Sequence, residues 1–274
     1  MSPSGEPLAV ILNESDATPM DLRFRLFGTD VRVHPFFWLF SAIIGWNVTE
    51  MRVLSDNGIP ELAIWVGCVF FSILLHEFGH IWMGRIFGSN GHIVLQAMGG
   101  LAVGSNALSR SGHRILVCAA GPAIQLVLAG ILLLGATLGT MLGVFVDAPK
   151  WVYLVINFLF SINFYWALIN LLPVFPLDGG QISRELCCQA SPAKGLLASL
   201  WISFGLSAVL ALNALAGSYG KPFIPPIIPG LFSAPTGMWA AFLFGMFAVG
   251  SWQGIVAEQQ SRRVYEDDDL PWER

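Results

Sequence analysis

His76, Glu77 and His80 lie in the run LLHEFGHIW (residues 74–82), one of the most apolar stretches of the chain. Imidazoles four residues apart on a helix share one face, a turn apart, so both can close on a single metal ion. A carboxylate next to the first imidazole is angled to reach a water on that ion without ligating it. This is the H-E-x-x-H spacing, and the chemistry it serves is hydrolysis by a zinc-activated water. The competing reading satisfies two histidines with backbone carbonyls and turns the glutamate toward a water pocket. An ionisable group inside an apolar span costs about 2.5–3.5 kcal/mol on insertion scales, and that cost favours the metal reading.

The elements that must hold these residues are apolar helices. Of the 274 residues, 55% are hydrophobic and 12% charged, with a mean hydropathy of +0.65, and this composition predicts a polytopic membrane protein. The net charge of −4 arises largely from the acidic tail, and no basic patch points to nucleic acid. Residues 1–30 carry no signal-peptide pattern, and the four cysteines show neither disulfide nor zinc-finger spacing. Spans are expected at 34–49, 61–87, 113–146, 151–172, 195–217 and 237–256. The apolar run 113–146 is long for one crossing and short for two. If it crosses once, Arg52, Lys150 and Lys221 share one side and the other eleven of the 14 basic residues share the opposite side. As a hairpin it would divide them eight to six, so the positive-inside rule selects one crossing, with both termini cytoplasmic. Gly121-Pro122 is a natural kink within it. Residues 22–33 alternate around Gly28-Thr29-Asp30 as a hairpin, and 91–104 read as two short strands around Gly99-Gly100. The two could form one small cytoplasmic-side sheet, and the Pro-rich stretch 220–230 reads as a stiff extracytoplasmic connector.

Catalytic zinc takes three protein ligands and keeps a position for water. The third should lie on the side where the second span ends, near residue 87. The fourth span ends on that side, followed by NLLPVFPLDGGQ (170–181), where Asp178 is an acid in an apolar segment. Pro173 and Pro176 break the helix before it, and irregular backbone at membrane depth is tolerated only when buried or lining a wet cavity. An N-cap of the helix GGQISRELCC is the equally open alternative for this aspartate.

Together, HEFGH (76–80) and NLLPVFPLDGG (170–180) resemble the signature motifs of the site-2 protease family, intramembrane zinc metalloproteases. AAGPAIQ (119–125) is similar to an Ala-Gly-Pro segment of that family, and the strands around Gly99-Gly100 fit its membrane-associated sheet. The resemblance implies an all-α polytopic membrane fold of about six transmembrane helices with a small β-sheet. It implies an endopeptidase domain over 22–257, between a cytoplasmic segment 1–21 and a charged tail 258–274, with no room for an inserted PDZ or CBS domain. It implies His76, His80 and Asp178 as zinc ligands and Glu77 as general base and later acid. Asn170, Gly99 and Gly100 would meet substrate. The implied partners are transmembrane protein substrates and the lipid bilayer, and the implied location is a bacterial plasma membrane. The family often carries Asn where this chain has Gln125, which leaves that residue's role open.

Two other readings remain at this level. One is a zincin of another family, for which Glu185 is the nearest carboxylate, though the Leu-Asp-Gly context favours Asp178. The other is a non-catalytic metal-binding scaffold or transporter, which would have no use for Glu77. Among the remaining polar residues, His34 is expected at the interface, His92 and His113 in solvent, and Asn157 and Asn163 in interhelical hydrogen bonds. The tail is expected to be disordered.

Overall fold

The computed structural model describes residues 16–97, 99–145, 147–224 and 237–267, with side chains of the last helix described as far as Arg262. The chain divides at Leu171 into two compact units.

The first unit, Glu14–Leu171, opens with a hairpin. Strands β1 (Leu22–Leu26) and β2 (Thr29–Val33) are joined at Phe27 and Gly28, with φ of 49° and 72°. Two positive φ values in a two-residue loop match the right-handed twist of the flanking strands. β2 then pairs in parallel with β3 (His92–Gln96), which pairs antiparallel with β4 (Gly99–Val103), in the order β1-β2-β3-β4. The expected hairpins thus form a single sheet, but Gly99 and Gly100 open β4 rather than making the turn. The alternating residues Val31, Val33, Ile93 and Leu95 form a buried face. They pack on Ile73, Leu74, Phe78 and Ile81 of helix α2 (Ile59–Ile86). The sheet therefore lies against the helical turns that carry the charged triplet.

The expected span 34–49 is not one helix. Helix α1 covers Pro35–Ile44, and its ten residues rise about 15 Å, half of a hydrocarbon core of about 30 Å. It stops at Gly45, where any side chain would collide with Trp65, and a 3-10 segment follows at Trp46–Met51. Hydropathy does not register such a break. β2 pairs with the strand that leaves the far end of α2, so the segment between β2 and α2 must still run back along that helix. α1 and the 3-10 segment together supply about 27 Å of rise. Trp65 Nε1 donates to Ser41 O at 3.1 Å and ties α1 to α2. His34 is buried. It caps α1, its Nδ1 accepting from Phe36 N, while its own N–H donates to Leu95 O at 2.8 Å and joins the helix to β3.

Helix α3 (Ser111–Met141) is a single helix with Pro122 inside it, in agreement with one crossing of 113–146. α4 (Lys150–Asn170) closes the unit. Gly79 of α2 meets the backbone of α3, since a side chain there would lie 2.6 Å from Ala120 O. Close approach through small residues is how helices pack where no hydrophobic force separates helix from lipid.

The second unit contains the described residues from Leu172 onward. Its helices are α5 (Asp178–Ala190), α6 (Gly195–Ser218) and α7 (Met238–Asp267). α6 and α7 pack together, with the Ser203 and Ser251 hydroxyls hydrogen-bonded at 2.7 Å. α7 runs past residue 258, where a disordered tail was expected. A Glu258–Arg262 pair one turn apart and the Arg262 guanidinium on Ala193 O extend it. Residues 1–15, 225–236 and 268–274 lie outside the described residues, and with them most of the expected N-terminal segment, the Pro-rich connector and the end of the tail. Among the described residues, α2, α3, α4, α6 and α7 are long and apolar enough to cross a membrane.

Candidate metal centre

His76, Glu77 and His80 occupy one turn of α2, all buried. The ring nitrogens of the histidines are sorted by their partners. His80 Nδ1 lies 2.7 Å from Val117 O, a carbonyl that can only accept. His76 Nδ1 lies 2.9 Å from Gln125 Oε1, and the Gln125 amide is oriented by its nitrogen donating to Ser72 O at 3.2 Å. Both Nδ1 atoms therefore carry the proton, and both Nε2 atoms present lone pairs. These Nε2 atoms are 3.0 Å apart. Two bare acceptors at that distance repel unless a cation or a proton lies between them. Two nitrogens on a tetrahedral zinc, each about 2.0–2.1 Å from the ion, are about 3.3 Å apart, so the pair fits zinc with little adjustment.

The space around the rings is set by α3. A side chain on Gly121 would lie 2.5 Å from His80 Cε1 and 2.9 Å from His76 Cε1. Glycine at 121 thus does more than permit a kink: it leaves the volume the two imidazoles occupy. Ser72, one turn before His76, has its hydroxyl held by Asn163 Nδ2 of α4 at 2.8 Å. Asn163 makes the expected interhelical bond, whereas Asn157 is exposed.

Glu77 lies under β4. A Cβ at Gly100 would fall 2.6 Å from Glu77 Cδ, so the strand backbone rests on the carboxyl group. Gly99 has a φ of 131°, a conformation that only glycine adopts readily, and it faces Trp166. β4 pairs with β3 on one side and forms an edge of the sheet on the other.

The structure thus assembles His76, Glu77, His80 and Gly100, with Gly99 one residue away. Asn170 is the buried last residue of α4. Asp178 belongs to the second unit, where it is buried and is the first residue of α5. The cap position is Leu177, whose side chain makes no capping hydrogen bond, so Asp178 lies one residue inside the helix instead of at the N-cap. The loop before it is irregular, as its prolines require. Phe175 N donates to the buried Ser203 hydroxyl at 2.8 Å, and a side chain on Gly180 would lie 2.5 Å from the Val174 carbonyl carbon. Elsewhere, His113 is half-buried and stacks on Phe87, centroids 4.1 Å apart.

Sequence reasoning passed over Gly121 as a space-maker, Val117 O as an anchor and Ser203 as a support for the loop before Asp178. Only the Gly-Pro pair advertised anything at these positions.

A model of peptidase family M50 matches residues 64–212, a stretch that includes both motifs. The chain is 31% identical over 233 residues to a Mycobacterium tuberculosis protein provisionally named zinc metalloprotease Rip3, covering 76% of this chain and 56% of that one. It is 28% identical over 194 residues to the zinc metalloprotease MJ0392 of Methanocaldococcus jannaschii, covering 70% and 52%. It spans about half the length of the curated relatives it matches. Among solved structures it is similar in fold to a site-2 protease from Methanocaldococcus jannaschii, with a TM-score of 0.52 and 21% identity over 86% of this chain and 95% of that chain. With its motifs, its apolar helices and the matched family model, this chain belongs to peptidase family M50.

Proposed function

We propose that this chain is an intramembrane zinc endopeptidase that hydrolyses peptide bonds in or near transmembrane segments of other proteins. His76, His80 and Asp178 are its metal ligands and Glu77 its general base. The observation that carries the reading is the approach of the His76 and His80 Nε2 atoms to 3.0 Å on the helical turn that also carries the buried Glu77. Asp178 is supported by its Leu-Asp-Gly context and by its burial as a carboxylate in a first helical turn. Bound zinc would polarise the scissile carbonyl and bring the pKa of its water toward about 7. Glu77 would take a proton from the attacking water and return it to the leaving amine. A helical substrate offers no accessible peptide bond, so a segment must unwind. The unpaired side of β4 can receive it as an added strand, directly above Glu77, with Asn170 contacting it or supporting the site. The excess of basic residues on one side supports a cytoplasmic location for both termini.

Zinc content and cleavage of a single-span substrate, measured for the parent and Glu77→Gln, test the assignment. The variant should keep its zinc and lose cleavage. Cleavage surviving in Glu77→Gln would remove that residue from its role, and a zinc-loaded parent that cuts no substrate would favour a scaffold. Proline introduced into β4 should abolish cleavage with zinc retained.

A further inference from the structure

Resting on the metal reading above, we propose that Gln125 is a positioning residue: it holds His76 in the Nδ1-protonated tautomer and thereby sets the zinc affinity of the pair. Gln125 is fully buried in α3. Its amide spans one turn of α2, accepting from His76 Nδ1 at 2.9 Å and donating to Ser72 O at 3.2 Å. The second bond fixes which end of the amide faces the imidazole, so the oxygen is presented and the ring must supply the proton. The clamp is itself braced from α4. Asn163 Nδ2 donates to the Ser72 hydroxyl and to Leu159 O, both at 2.8 Å. Three helices thus converge on the orientation of one imidazole.

The second histidine provides an internal contrast. The Nδ1 of His80 is held by the backbone carbonyl of Val117, an acceptor that no side-chain substitution removes. His76 depends on a replaceable side chain. Acceptors on the outer nitrogen of a ligating histidine set its tautomer and basicity, and their loss costs metal affinity about 10- to 100-fold. Polar side chains buried in a span without partners are penalised, so an amide kept at this depth points to a partner that needs it.

The test uses the full chain in detergent and reads zinc affinity by competition with a chelator of known affinity. Gln125→Leu should weaken zinc binding about 10- to 100-fold, and Gln125→Glu, which keeps an acceptor at this point, should return it to within about threefold of the parent. Thermal unfolding in excess chelator gives the stability of each metal-free form. Unchanged zinc affinity in Gln125→Leu would overturn the proposal. So would equal weakening in both variants accompanied by equal loss of metal-free stability, since that pattern belongs to packing alone. A parent that binds no zinc would sink the metal reading and this inference together.

Discussion

The Nε2 atoms of His76 and His80 face each other at 3.0 Å, while each Nδ1 is engaged by an acceptor on α3. With each Nδ1 so engaged, the two neutral rings face each other through Nε2 lone pairs, and the arrangement suits a shared positive charge between them. Replacing either imidazole by alanine should reduce bound zinc from about one per chain to less than about a tenth, as a site reduced to two protein ligands no longer competes for the ion. Chelation should abolish both zinc content and cleavage, and returned zinc should restore both. Metal analysis of the purified chain is the measurement, and stoichiometric zinc in His80→Ala would refute the shared site.

Gly121 tests the shape of the site independently of its ligands. Gly121→Ala introduces a carbon 2.5 Å from His80 Cε1 and 2.9 Å from His76 Cε1, so the rings or the helix must move. The expected result is at least a tenfold loss of zinc affinity and a loss of stability of about 1–3 kcal/mol from overpacking. Gly130 provides the control, since it is exposed on the same helix and a Cβ there meets nothing within 4 Å. Gly130→Ala should leave zinc binding unchanged and raise helix stability by up to about 1 kcal/mol.

The contrast between these glycines marks where the sequence is informative. The histidine pair was legible because His76 and His80 share a helical face through spacing alone, a local property. The single crossing of 113–146 was legible from charge placement, and the two hairpins from alternation. Pro122 marks Gly121 as a kink in the sequence, but its role as a space-maker depends on which side chains of another helix come near, and that is not a local property. The same holds for Gln125, whose partners lie 49 and 53 positions away in the chain. The first span was misjudged for a related reason: hydropathy sums over residues 34–49 and does not register that Trp65 leaves no room for a side chain at Gly45.

Gly100 separates metal binding from catalysis. The β4 backbone rests on the Glu77 carboxyl, so Gly100→Ala must displace one or the other, and the atoms nearest to such a Cβ all belong to Glu77. A misplacement of about 1 Å costs up to about 100-fold in rate, so cleavage should fall by that order with zinc content unchanged. Zinc lost in parallel with activity would show that β4 supports the ligands instead of the base.

Far from the metal centre, Asp21 should make the sheet sensitive to acid. The Thr18 hydroxyl donates to its carboxylate at 2.6 Å, the Thr18 N–H at 3.0 Å and Arg32 Nη1 at 3.2 Å. These partners, the Thr18 hydroxyl foremost, hold the Asp21 carboxyl down at about 2, against an ordinary 3.8. A carboxylate whose pKa is lowered on folding stabilises the fold fully above its unfolded pKa, and that stabilisation fades as pH falls through the folded value. The segment that the carboxylate ties to β2 should therefore be secure at neutral pH and loosen between about pH 4 and pH 2. Melting temperatures of the parent and Asp21→Asn, compared across that range in detergent, provide the measurement. The gap between them should be widest at neutral pH, narrow below about pH 4 and close near pH 2. A gap that stays constant with pH would mean that the carboxylate's charge contributes nothing and that only its shape holds Thr18 and Arg32 in place.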